Sequence, residues 1–156
     1  MSVEQNKNRI LRLVDLLNAY DFDGLGEVCH EEIFYHTGSG IELGGLPFYQ
    51  EMMRQVHEGF PDFRYSLEEL TAEGDSVHWT YRFTATHHGE MMGIPGTGRS
   101  VNYLVAAVCQ LEDGKIIDHL DVYDGLTFLR QVGVVSEEVR PGGEEWPSGG
   151  QTLRPQ

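Results

Sequence analysis

Residues 77–87 and 101–111 alternate apolar and polar side chains with a period of two, and this pattern constrains the fold more than any other feature of the chain. In 77–87 the odd positions are Val77, Trp79, Tyr81, Phe83, Ala85 and His87, and the even ones are His78, Thr80, Arg82, Thr84 and Thr86. In 101–111 the odd set is Val101, Tyr103, Val105, Ala107, Cys109 and Leu111. Successive strand side chains point to opposite faces, so each segment predicts a long, half-buried strand with its odd face inward. Turn signals at 73–75 (EGD), at 113–114 (DG) and in a Gly/Pro-rich loop separate 63–72, 76–88, 100–111 and 115–123. Together these predict an antiparallel meander.

Helical spacing dominates the N-terminal part. Ile10, Leu13, Val14 and Leu17 form one stripe, and Ser2 with Gln5 makes a capping-box signature, predicting a helix from residue 3 to about 20. Asp23 is a cap candidate for a short second helix through Leu25, Val28 and Cys29, followed by a brief strand at IFYH. Pro47 opens a third helix with Phe48, Met52 and Val56 on one face, and a last one is expected over about 125–132, ending at Gly133. Helices first and a curled sheet afterwards define an α+β domain, residues 1–135, in which a curved antiparallel sheet wraps the N-terminal helices and leaves an internal apolar pocket. Residues 136–156, rich in Gly, Pro and Glu, are expected to form an irregular tail.

Charge and composition exclude several functions. With 11 Lys plus Arg against 25 Asp plus Glu, the formal charge is −14, which disfavours nucleic acids and anionic membranes as partners. YLVAAVC, the longest apolar run, is far short of the roughly 20 residues of a membrane helix, and no secretory signal is evident. A cytoplasmic protein is expected. Cys29 and Cys109 form neither a disulfide framework nor a zinc set, and His87 and His88 point to opposite faces of a strand, so no metal site is expected. GIPGTG precedes a strand and lacks the phosphate-binding lysine.

The last strand poses the functional question. With the hairpin turn at Glu112–Gly114, facing positions sum to about 226, which sets Ala107 near His119 and Val105 near Asp121. Odd then meets odd, and Ile117, His119, Asp121 and Tyr123 project into the hollow, with His87 at its mouth. A slip of one residue would turn Asp124 inward instead. An imidazole and a carboxylate in an aromatic hollow suit general acid/base chemistry; the alternatives are a structural Asp–His pair or an aspartate capping the next helix.

FYH, GFPDFRYSLEELTAEGDSV, THHGEMMGIPGTGRSV and DGKIIDHLDVYDGLTFLRQVG, in this order across residues 5 to 133, resemble the SnoaL-like polyketide cyclases of the nuclear-transport-factor-2-like superfamily. The resemblance implies a cone-shaped fold, an enzyme without cofactor or metal, a polyketide-like or polycyclic small-molecule substrate, and a homodimer or homotetramer. It implies aldol ring closure with an aspartate as acid/base, Asp121 or Asp124, and with His119 and His87 in the catalytic group. Epoxide opening and a non-catalytic binding module are the alternatives. His36, Tyr35, Trp79, Tyr81, Met52, Phe60, Met92 and Tyr103 are the expected substrate-binding residues. Leu120 and Asp118 stand where the family often carries Trp and Glu.

Overall fold

The computed structural model describes residues 1–136, so the expected 136–156 tail lies outside the described residues but for Ser136. Helix α1 (Val3–Asn18) starts at the capping box: Ser2 Oγ accepts from the Gln5 N–H at 3.2 Å, and Gln5 Oε1 accepts from the Ser2 N–H at 2.8 Å. Its stripe, Ile10, Leu13, Val14 and Leu17, is buried and lies against β3 (Arg64–Glu73) and β4 (Ser76–Thr86). Among the described residues no helix is long and apolar enough to cross a membrane.

The expected second helix is only a 3-10 turn, Asp23–Glu27, and Asp23 is not its cap. Asp21 instead accepts from the Gly24 N–H at 2.9 Å, while Cys29 already opens strand β1 (Cys29–Thr37). The loop after FYH contains a short strand, β2 (Glu42–Gly44), antiparallel to β1. Helix α2 (Leu46–Gly59) carries Pro47 in its first turn, as expected. It uses two neighbouring stripes: Tyr49 and Met53 are buried in the core, and Phe48, Met52 and Val56 face a cavity that Met53 also touches.

The meander holds: β3, β4, β5 (Ser100–Glu112) and β6 (Lys115–Tyr123) pair antiparallel in succession. Strand β1 then adds beside β6 in parallel, giving the order β2-β1-β6-β5-β4-β3, so the sheet is not purely antiparallel. Every odd residue from Val77 to His87 is buried, and the sheet curls over α1 and α2 with the aromatic core between them. Helix α3 (Gly125–Gln131) closes one end against β5.

The hairpin register departs from the sequence expectation twice, and the two departures cancel in parity. Asp113 and Gly114, at φ 48° and 76°, make a two-residue turn, so Glu112 pairs with Lys115. An irregularity opposite Gln110 and Leu111 then leaves Ile117 without a Cα partner. Ile116, not Ile117, is therefore buried, and beyond the irregularity Cys109 faces His119 and Ala107 faces Asp121. The pairing is two residues from the one expected, so His119 and Asp121 still face inward.

Candidate active site

A cavity of about 410 Å³ opens between the curled sheet, α2, the β1–β2 hairpin and the 88–98 loop. Asp121, 6% exposed, supplies its inner carboxylate. Oδ2 accepts from the Tyr35 hydroxyl at 3.0 Å and from the Tyr81 hydroxyl at 3.1 Å, while Oδ1 lies 3.1 Å from His119 Nε2. With its ring proton on Nε2, His119 donates to an ionised Asp121, and three donors converge on one carboxylate.

Strand order explains the convergence. Tyr35 sits opposite His119 across the parallel β1–β6 pair. Tyr81 comes from β4, two strands away from β6, and reaches over β5 where Ala107 is paired with both Trp79 and Asp121. Ala107 is the smallest inward side chain of β5, so it leaves room for the phenol to cross. Burial, followed by the charge of Asp121, holds the Tyr35 and Tyr81 phenols well above the usual tyrosine range. Both remain protonated donors at neutral pH.

Of the residues expected to bind substrate, Tyr35, Tyr81, Met52, Phe60, Met92 and Tyr103 line the cavity. Trp79 does not: it lies behind the wall, stacked on Tyr81 at 4.8 Å and 5.8 Å from the His119 ring. His119 likewise backs Asp121 instead of lining the cavity, and among the described residues its Nδ1 is buried without a partner.

Three expectations are corrected. His36 is not a pocket donor, because the β1 alternation that turns Tyr35 inward turns it to the outer face, where Nε2 lies 3.2 Å from Asp118 Oδ1. His87 is not at the mouth; it is fully buried, stacked on Phe60 at 5.1 Å, with Nδ1 3.1 Å from Thr97 Oγ1. Asp124 is the N-cap of α3, accepting from the Leu126 and Thr127 N–H groups at 3.0 and 3.2 Å and from the Thr127 hydroxyl. Those bonds, the hydroxyl's foremost, hold its carboxyl below the usual range.

Tyr65, Thr37 and Phe128 also line the cavity and are absent from the set expected from sequence. Tyr65 is signalled by the alternation of Phe63, Tyr65 and Leu67, which is cut short because the β3–β4 register shifts between Leu67 and Glu69. Thr37 continues the inward phase of Ile33 and Tyr35 but lies one residue past the IFYH segment expected as a strand, and the parallel pairing with Asp121 sets it in the wall. No group of three or more side chains able to hold a metal ion occurs among the described residues.

Residues 7–132 match the family model of SnoaL-like polyketide cyclase, and the chain belongs to that family. It is 28% identical over 144 residues to aklanonic acid methyl ester cyclase of Streptomyces peucetius, covering 89% of this chain and 91% of that protein. Among solved structures, a protein of Jannaschia sp. CCS1 described as SnoaL-like superposes with a TM-score of 0.79 at 26% identity, over 85% of this chain and 94% of that one. A SnoaL-like polyketide cyclase of Agrobacterium tumefaciens superposes with a TM-score of 0.71 at 26% identity, over 85% and 100%. These likenesses establish the cone-shaped α+β architecture.

Proposed function

We propose that this protein is a cyclase that closes a ring in a polyketide-like intermediate by intramolecular aldol addition, with Asp121 as the general base and then the general acid. The observation that carries this reading is a buried carboxylate at the inner end of an apolar cavity, held by two phenols and an imidazole at 3.0–3.1 Å. The activity of the Streptomyces peucetius relative, a methyl ester cyclase, supports it.

The chemistry needs a proton removed from a carbon flanked by carbonyls. Asp121 takes that proton, and the resulting enolate carbon attacks a second carbonyl carbon of the same molecule, forming the new C–C bond. The alkoxide left on that carbonyl oxygen receives the proton back from Asp121, so the step balances without a co-reactant. Once Asp121 is protonated, the Tyr35 and Tyr81 hydroxyls are free to donate to oxygen that gains negative charge. His119 holds the carboxylate from behind through Oδ1 and fixes which oxygen faces the substrate. His36, His87 and Asp124 take no part.

The test is Asp121→Asn, which keeps the shape and removes the base. Turnover of a linear 1,3-dicarbonyl polyketide substrate is expected to fall by about 10²- to 10⁴-fold with binding retained. Full turnover in this variant refutes the role of Asp121. Binding by the wild type with no product from any candidate substrate points to a binding module.

A further inference from the structure

The cavity runs against the usual order of a folded protein, in which apolar groups lie inside and polar groups meet water. The polar groups that converge in it are at the buried end: Asp121, Tyr35 and Tyr81 are all under 9% exposed. At the other end, Phe48 is 65% and Met92 60% exposed although both belong to the lining. These two come from different elements, the first turn of α2 and the tip of the 88–98 loop, so no single amphipathic stripe accounts for them. The polar members of this rim are Glu51 and Gln55 on α2.

The loop that carries Met92 has a fixed base. The His87 N–H donates to the Arg99 carbonyl at 2.9 Å, and the Gly98 N–H donates to the His87 carbonyl at 2.8 Å. The His88 and Gly89 N–H groups both donate to the Gly59 carbonyl at the end of α2, each at 3.0 Å. Gly89 has no room for a side chain there, because a Cβ would lie 2.2 Å from the Glu58 carbonyl oxygen. At the tip, Met91 bridges Ile94 through Met92 and Gly93 at φ 54° and 75°, a tight turn that presents Met92 at the opening. An unbranched thioether on a firmly held turn can adapt its shape to a ligand without moving the backbone.

We infer that the substrate binds with its carbonyl-bearing end innermost and an extended, uncharged apolar end under Phe48 and Met92, which makes these two residues the determinants of substrate length. The inference deepens the cyclase reading, since it takes Asp121 as the reacting end. Until a ligand arrives, Phe48 and Met92 expose apolar surface to water, and covering it rewards molecules long enough to reach the rim. Glu51, the charged side chain of this rim, is paired with Arg54 at 3.6 Å and accepts from Gln55, so among the described residues the rim leaves no unpaired cation to hold an anionic outer end.

Binding of two neutral quinones tests this without turnover: 1,4-naphthoquinone as the short probe and 5,12-naphthacenequinone as the long one, titrated against wild type, Met92→Ala, Phe48→Ala and Tyr81→Phe. Each rim substitution is expected to weaken the long probe about tenfold, the weight of one apolar side chain's burial, and to leave the short probe unchanged. Tyr81→Phe alters the inner end that both probes reach, through the bond Tyr81 makes to Asp121, and is expected to change the affinity of both probes by the same factor. Both rim side chains are exposed, so these variants keep the melting temperature of the wild type. Equal weakening of both probes by the rim variants, no weakening of either, or failure of the wild type to bind the long probe better than the short one overturns the inference. The two readings fail separately. Full turnover in Asp121→Asn with the rim effects intact removes the cyclase role of Asp121 and leaves the length selection standing.

Discussion

Strands β1 and β6 carry two histidine–aspartate pairs of nearly equal length on opposite faces. His119 and Asp121 meet at 3.1 Å on the inner face, and His36 and Asp118 meet at 3.2 Å on the outer one. The residue types and the distances match, yet the surroundings do not. The inner side chains are 3% and 8% exposed, with two phenols completing the carboxylate, whereas the outer ones are 29% and 38% exposed and face solvent. In water a pair of this kind is screened and contributes little; in a desolvated cavity the same groups are held in one geometry and their interactions strengthen. The comparison teaches that the constellation becomes a candidate site through its burial and its extra donors, not through the pair itself.

The sharpest way to break the comparison is kinetic. Asp121→Asn is expected to lose about 10²- to 10⁴-fold in turnover, while Asp118→Asn leaves turnover unchanged; both are read from cyclisation rates under saturating substrate. If Asp118→Asn is as damaging, the outer pair is not a surface feature.

Stability gives the next contrast. His119→Ala leaves a cavity and removes a donor from a buried carboxylate, an expected cost of about 2–4 kcal/mol in urea unfolding. His36→Ala, on the exposed face, is expected to cost under about 1 kcal/mol.

Asp124 supplies a third, smaller contrast, because it is a carboxylate of the same segment engaged only in capping. Asp124→Ala is expected to cost about 1 kcal/mol of stability without changing the pH dependence of turnover. Its carboxyl is held below the usual range in the folded state, so this contribution is complete above the unfolded-state value of about 3.9 and is lost as pH falls through the lower folded value. The stability gap between wild type and Asp124→Ala should therefore narrow on acidification below about pH 4, as followed by unfolding midpoints.

The smallest effect concerns the thiols. Burial pushes Cys29 up to about 12 and Cys109 well above the usual thiol range, so neither is expected to react with a thiol reagent at pH 8 until the protein is unfolded.

Much of this site is legible in the amino-acid sequence. Period-two alternation assigns the inner faces of β4 and β5, and its extension to β6 points to His119 and Asp121. That extension reaches the correct face through a register two residues off. The tight Asp113–Gly114 turn shifts the pairing by one, and the unpaired Ile117 shifts it by one more. Either shift alone would have turned Asp121 to solvent. The expectation for His36 fails because it rests on the resemblance to family motifs, while its own strand puts Tyr35 and His36 on opposite faces. His87 is expected on the correct face but at the wrong depth, since nothing local foretells that Phe60 covers it.

What the sequence determined by itself was the three α-helices and the four long strands, their inward faces and an aspartate with a histidine two residues before it on one of those faces. These are local properties, set by side-chain alternation, by caps and by turn residues that act over a few positions. Only the tertiary structure decided that β1 lies parallel to β6, that Ala107 leaves a passage for Tyr81, and that α2 and the 88–98 loop set an apolar rim opposite Asp121. Those facts depend on strands far apart in the chain meeting side by side. The periodicity of one segment holds no information about which neighbour it will face.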